Sequence, residues 1–357
     1  MRTWIGCLVM AACAGEPSAL SGDGVRVASE DALFHQDPRW LGADGAYTID
    51  LNDGRVLWLF GDSFIATSAA DSRAASTLVR NSIAVMTGHD PVTATMQFAW
   101  TDGSPPDSFF AEVGSSWSWP SDGARVGDGP LLVFLSQQVA TPNEGLGFAA
   151  VGYRAVRVID PSGAPSAWTI ADVPTSPAPF DATASVACST IDGDELVALV
   201  VAGDGHDGRL ARWPLTAIGD GDLSAPEWWD GAEWSSTAMS PAIAIGGGAT
   251  ECSLSQVGDV WVHVASGGFG ATTVAIRTAP ELTGPWSDPL DVFTPPESAA
   301  PNAFVYAAKA HPTLVTHTPG ATLVITYANN SFTFSDLLDP ANASTLYWPH
   351  VAELALH

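Results

Sequence analysis

The sequence predicts an all-β fold, a five-bladed β-propeller, and three observations carry that expectation. Helical periodicity is nearly absent after residue 30, short apolar runs alternate with turn chemistry, and one strand pattern returns about every 60 residues. The runs cover residues 45–51, 55–60, 130–136, 195–201, 260–265 and 322–327. They are rich in Val, Ile, Trp and Tyr and are bounded by Asp-Gly, Gly-Asp, Asn-Asp-Gly and Pro, which mark strands and tight turns. The returning pattern is a strand holding Arg, then a loop with Trp. It reads Tyr153-Arg154-Ala155-Val156-Arg157 before Trp168, Leu210-Ala211-Arg212-Trp213 before Trp228 and Trp229, and Val274-Ala275-Ile276-Arg277 before Trp286. Five such units place blade borders at 36–100, 101–175, 176–235, 236–297 and 298–353. Radial blades leave only short edges. An irregular pair of β-sandwiches is the alternative the pattern leaves open.

Length is compatible with one domain. The chain has 357 residues, and all-β folds run past 250 residues as single units. Thirteen Lys and Arg face 39 Asp and Glu, a formal charge of −26. Such a surface repels phosphate backbones and anionic membranes, which argues against nucleic-acid binding and against membrane attachment other than through a lipid anchor. Solubility in an extracellular setting accounts for the acidity. A monomer is expected.

The first residues read as an address. Met1-Arg2-Thr3 is a basic start, Trp4 to Ala12 a short apolar run, and Ala11-Ala12-Cys13 resembles a bacterial lipobox in which Cys13 is lipidated. A plain signal peptide with an incidental Cys is the alternative. Residues 1–13 are therefore expected to be a leader, 14–31 a flexible tether and 32–357 the propeller; the location expected is the cell envelope, in the periplasm or at the surface. Cys188 and Cys252 remain after the leader. Export permits a disulfide between them, and unpaired core thiols are the other reading. Two Cys without a nearby His pair argue against a structural zinc site.

Chemistry concentrates on one hairpin. Asp44-Gly45-Ala46-Tyr47 leads through Asn52-Asp53-Gly54 to Leu57-Trp58-Leu59-Phe60-Gly61-Asp62. A three-residue loop with Gly54 left-handed puts Asp44 opposite Asp62, about 4.5–5.5 Å away across the ladder; a two-residue loop separates them. Facing carboxylates are costly, and evolved pairs divide acid and base work. Asp62 follows an apolar run and is expected to be the acid; Asp44 lies among small residues, open to water, and is expected to be the base. Asp beside Gly is also ordinary turn chemistry.

Further stretches join these: His35-Gln36-Asp37-Pro38-Arg39-Trp40, Arg80-Asn81-Ser82, Ala249-Thr250-Glu251-Cys252, Leu282-Thr283-Gly284-Pro285-Trp286-Ser287, Tyr306-Ala307-Ala308-Lys309-Ala310-His311-Pro312 and Ile325-Thr326-Tyr327-Ala328-Asn329-Asn330. Together with the Trp-Leu-Phe-Gly-Asp segment they resemble the domain-of-unknown-function 4185 family, whose active members form glycoside hydrolase family 183. The resemblance implies a five-bladed propeller, an endo-D-arabinanase-like activity on extracellular polysaccharide, and an inverting pair matching Asp44 and Asp62. Inversion needs a gap of about 6.5–9.5 Å between the carboxyl groups, wider than a direct cross-strand pair, so a retaining mechanism stays open. Glu251-Cys252 resembles the acid motif of glycoside hydrolase family 32 and makes Glu251 a third catalytic candidate. Arg80, Asn81, Trp119, Lys309, His311, Tyr327 and Asn329 are expected to bind substrate. No phosphate loop and no Gly-x-Ser-x-Gly elbow occurs. No residue set is assigned to a metal and no cofactor is expected; a structural Ca²⁺ at Asp204-Gly205-His206-Asp207-Gly208 is left open beside the hairpin-turn reading. A non-catalytic surface lipoprotein that binds glycan or protein through the propeller face is the alternative to the hydrolase.

Overall fold

A computed structural model describes residues 20–69, 71–142, 146–203, 205–267 and 270–357. Five antiparallel sheets form the five blades of a propeller. Blade 1 runs β2 (Trp40–Asp50), β3 (Arg55–Ile65), β5 (Ser82–Thr87) and β6 (Thr95–Ala99), with the short β4 (Thr77–Val79) beside β3. Blade 2 runs from β7 (Trp117–Arg125) through β8 (Leu131–Ala140) and β9 (Phe148–Val158) to β10 (Ile170–Val173). Blade 3 holds β11 (Ser185–Asp192), β12 (Glu195–Ala202), β13 (Asp207–Pro214), β14 (Glu227–Trp229) and β15 (Trp234–Ser235). Blade 4 comprises β16 (Cys252–Val257), β17 (Val260–Ser266), β18 (Val274–Ala279) and β19 (Leu290–Phe293). Blade 5 is built from β20 (Ala303–His311), β21 (Leu323–Ser331), β22 (Pro349–Leu356) and, on its outer edge, β1 (Gly22–Arg26).

That last strand corrects the tether expected over 14–31. From Gly22 to Arg26 the chain pairs with β22, Arg26 lying opposite Ala352. Arg26 then ties down Asp31 and Glu297 through charged hydrogen bonds. Partners for both the backbone and the guanidinium make this segment part of the blade. The expected leader, with Cys13, lies outside the described residues.

Both faces of each blade are covered by neighbours, which explains the uninterrupted apolar runs. In β3, Leu57 and Leu59 pack with Leu131, Val133 and Leu135 of blade 2. Val56, Trp58 and Phe60 point the other way, onto Val324 and Val351 of blade 5. The Arg-bearing repeat is the third strand of blades 2, 3 and 4. There Arg212 holds Glu227 of β14 at 2.7 Å, and Arg154 holds Asp172 of β10 at 2.7 Å. A disulfide joins Cys188 of β11 to Cys252 of β16, Cα atoms 5.6 Å apart, and so staples the inner strands of blades 3 and 4. Among the described residues helix comes only in short pieces such as Glu30–His35, Thr216–Asp220 and Phe334–Leu338.

Candidate active site

The hairpin closes as its turn residues dictate. Leu51 and Arg55 pair around a three-residue loop, with Asn52 at φ 57° and Gly54 at φ 85°. Extended without interruption, that register puts Asp44 against Asp62. Two bulges intervene and cancel. Gly45 pairs with Phe60 and Tyr47 with Leu59, so Ala46, at φ 60°, is an extra residue on β2. Ala43 then pairs with Ser63, so the extra residue is on β3, at Gly61-Asp62. The offsets re-aim both side chains before the register is restored. Gly61 is required here: a Cβ on it would lie 2.3 Å from Asp44 Oδ1.

The two carboxylates have opposite partners. Asp44 Oδ2 accepts from the phenols of Tyr306 at 2.9 Å and Tyr347 at 3.1 Å. Among the described residues no cationic group bonds to it. Burial, and then the charges of Glu251 and Asp62, push its carboxyl up to about 8, against the two phenol hydrogen bonds. Asp62 Oδ1 accepts from Trp119 Nε1 at 2.8 Å, and its Oδ2 from Arg80 at 3.3 Å. Burial pushes Asp62 up to about 6, the indole and the guanidinium holding it below Asp44. Arg80 also lies over the ring of Trp117, 4.4 Å from its centroid, and Trp119 packs edge-on against Phe148. The expected acid at Asp62 and base at Asp44 thus meet unlike surroundings: an indole and a guanidinium face Asp62, while phenols face Asp44. Asp44 is partly exposed rather than open among its small neighbours, because tyrosines distant in sequence line it.

Lys309 holds the strained backbone behind the pair. Its side chain is fully buried, and Nζ donates to Gly45 O at 2.5 Å and Ala307 O at 2.7 Å, with Glu251 Oε1 at 3.5 Å. Nζ also stands 4.1 Å from the centroid of the Tyr47 ring. Ala307, at φ 56°, marks a register shift in β20 between Tyr306 and Lys309. Tyr347 is left-handed too, at φ 61°. Three non-glycine residues in this conformation therefore surround one carboxylate, a concentration of backbone strain typical of functional sites. Burial lowers the Lys309 ammonium, opposed by the charge of Glu251.

Asp44, Asp62, Glu251, Arg80 and Trp119 thus converge, with Lys309 beside them; its full burial corrects the expectation that Lys309 binds substrate. Four other expected binders do not. Asn81 is buried and clamps the chain, donating to Phe110 O and Ser118 O and accepting from Phe110 N. His311 is buried between Thr48 and Thr326, 2.7 Å from each hydroxyl, and packs on Trp58. Burial, with the Lys309 charge, holds its imidazole down at about 3. Tyr327 points to Glu297, 2.6 Å away, in a separate charged cluster. Asn329 supports from behind: its carbonyl accepts from Tyr347 N at 3.0 Å and its amide donates to Thr345 O. At the turn left open to Ca²⁺, Asp204 lies outside the described residues, and Asp207 Oδ1 accepts from Gly247 N at 3.0 Å, a bond to a segment 40 residues on.

Sequence reading missed Tyr306, Tyr347 and Asp122. Asp122, on the inner strand of blade 2, accepts from Ser189 N at 2.9 Å and Gly123 N at 2.8 Å, and burial pushes it up to about 7. The signal for Tyr306 was its place three residues before Lys309 in the quoted motif. Asp122-Gly123 reads as a turn, although it stands inside a strand.

The family described as "Domain of unknown function (DUF5005)" matches residues 29–355. This overturns the resemblance to the domain-of-unknown-function 4185 family and, with it, the family 183 inference. No curated protein matches. Among solved structures, one from Bacteroides ovatus ATCC 8483, provisionally described as a hydrolase, superposes with TM-score 0.70 at 18% identity, covering 93% of this chain and 90% of its own; it supports the propeller fold. Exo-β-1,3-galactanase from Phanerochaete chrysosporium gives 0.48 at 13% identity over 87% of this chain and 60% of its own. Endo-arabinase from Bacteroides thetaiotaomicron gives 0.46 at 13% identity over 87% and 94%. Likenesses as remote as these two carry no argument about chemistry.

Proposed function

Because this chain belongs to the DUF5005 family, whose description assigns no activity, we propose its function from the site itself: it is a glycoside hydrolase acting on an extracellular polysaccharide. The observation that carries the reading is the pair Asp44 and Asp62, set at one bulged hairpin end with their proton affinities pushed apart. Glycosidic cleavage needs such a division between an acid that protonates the leaving oxygen and a carboxylate that serves the opposite face of the sugar. Near neutral pH, Asp44 keeps its proton and Asp62 is largely ionised. Asp44 is the general acid; Asp62 activates water or attacks the anomeric carbon. Glu251 keeps Asp44 protonated through its charge. Arg80 and Trp119 offer a guanidinium and an indole ring to sugar hydroxyls and ring faces, while the buried Trp117 supports Arg80 from behind. A net charge of −26 favours an uncharged glycan over an anionic one. Export through the Met1–Cys13 leader belongs to the same proposal and brings the enzyme to its substrate.

The test is product sizing on a panel of neutral polysaccharides. Asp44→Asn and Asp62→Asn should each lower turnover by about 10³-fold or more with the fold intact. Full activity in both variants sinks the mechanism. Glycan binding without any chain shortening would leave a lectin-like surface protein instead. The anomer first released, read by proton NMR, separates inversion from retention.

A further inference from the structure

A second cluster of ionisable groups lies beyond the opposite end of β20 from Tyr306, where the loop of residues 312–322 meets Glu30 and β22. We propose that Glu30, His317 and Glu353 bind one divalent transition-metal ion of the zinc class, which locks the seam where the propeller closes. One ligand atom from each lies within 4.8 Å of the others. The Glu30 and Glu353 side chains are fully buried, and that of His317 is 39% exposed, which leaves a route in for an ion.

Four features distinguish this cluster from a solvated acidic patch. Glu30 Oε2 is buried without any hydrogen-bond partner, and an orphaned carboxylate oxygen in such a place calls for a cation. Glu353 is fixed in aim, since Oε1 accepts from His317 N at 2.7 Å and Oε2 from Thr318 N at 2.6 Å. His317 Nε2 lies 3.3 Å from Asp90 Oδ1. An acid on that side favours the tautomer that keeps its proton on Nε2 and leaves the Nδ1 lone pair facing Glu30 and Glu353, the arrangement that orients metal-binding histidines. Finally, Nδ1 is 3.0 Å from Glu30 Oε1 and 3.9 Å from Glu353 Oε1. Atoms bound at ~2.1 Å to one ion lie about 3–4 Å apart, and one imidazole with two carboxylates suits zinc better than calcium, which takes six to eight oxygens.

The position gives the ion a task. Glu30 opens the 3₁₀ turn that follows β1, and Glu353 sits on β22 opposite Val25 of β1. His317 belongs to blade 5, and Asp90 to the loop between β5 and β6 of blade 1, where His89 O also accepts from Val315 N at 2.9 Å. One ion would tie the first strand, the last blade and the first blade together.

The test uses the whole protein, stripped with a chelator and titrated with zinc chloride, with uptake measured by mass spectrometry of the metal and by calorimetry. One zinc per chain and a melting midpoint that rises with zinc concentration are expected. His317→Ala should abolish both without unfolding a partly exposed position, and Asp90→Asn should weaken binding about 10–100-fold. Calcium preferred over zinc, no uptake, or equal uptake by wild type and His317→Ala would overturn the proposal. None of these readouts depends on sugar cleavage, so the two proposals fail separately.

Discussion

Two clusters of buried charge in this propeller treat their acids in opposite ways. At the hairpin mouth, Asp44, Asp62 and Glu251 share one lysine and one arginine, and the carboxyls of Asp44 and Asp62 are pushed up. Beside β1, Asp31 and Glu297 are also largely buried, yet both are held below the usual carboxylate range. Burial works to raise Asp31 as well, but it is outweighed by hydrogen bonds from His350 at 2.9 Å and from Arg26. Glu297 accepts from Arg26 at 2.9 Å and from Tyr327 at 2.6 Å. The difference teaches that burial alone does not make a catalytic acid. Partner supply decides: Asp31 faces a guanidinium and an imidazole, whereas Asp44 faces phenols and other acids.

The largest effect that could break this comparison is the loss of turnover in Asp44→Asn, described above, set against Asp31→Asn, which should leave turnover per folded molecule unchanged. Next in size, reduction of the Cys188–Cys252 bond should cost about 2–4 kcal/mol in urea unfolding, because it frees a loop of 64 residues in the unfolded chain. Asp31→Asn should cost about 1–3 kcal/mol near neutral pH by removing one of the two carboxylate partners of Arg26. Its folded pKa is depressed, so this contribution is present above the unfolded value and fades as pH falls through the folded one; variant and wild type should converge in acid. Asp44→Asn should do the reverse and stabilise the protein by about 1–3 kcal/mol at pH 8. In the wild type the folded pKa is raised, so stability is full below about pH 4 and falls as pH climbs towards 8. The Asn variant escapes that fall, and a gain that shrinks with rising pH would contradict the account.

Much of the fold was legible because it rests on local chemistry. Asn52-Asp53-Gly54 specified a three-residue turn, and the Arg-Trp repeat marked the third strand of three blades. The paired bulges were not legible, since nothing in Gly45-Ala46 announces that an alanine will take a left-handed conformation. Its stability there comes from Lys309, more than 260 residues away in sequence, whose ammonium draws in the Gly45 carbonyl. The same distance hid the electrostatics. Asp44 among glycines and alanines reads as open, but Tyr306 and Tyr347 line it from the far end of the chain. His311 and Asn81 misled for a related reason: polar residues in a motif look like binders, but here they satisfy buried hydroxyls and backbone groups.

The central claim is that Asp44 holds its proton at a pH where Asp62 has lost its own. Carbon-13 NMR titration of aspartate carboxyls, assigned with Asp44→Asn and Asp62→Asn, tests it most directly. The account predicts that the Asp44 resonance titrates near 8 and the Asp62 resonance near 6. Ionisation of both near 4, as in an exposed carboxylate, would contradict it.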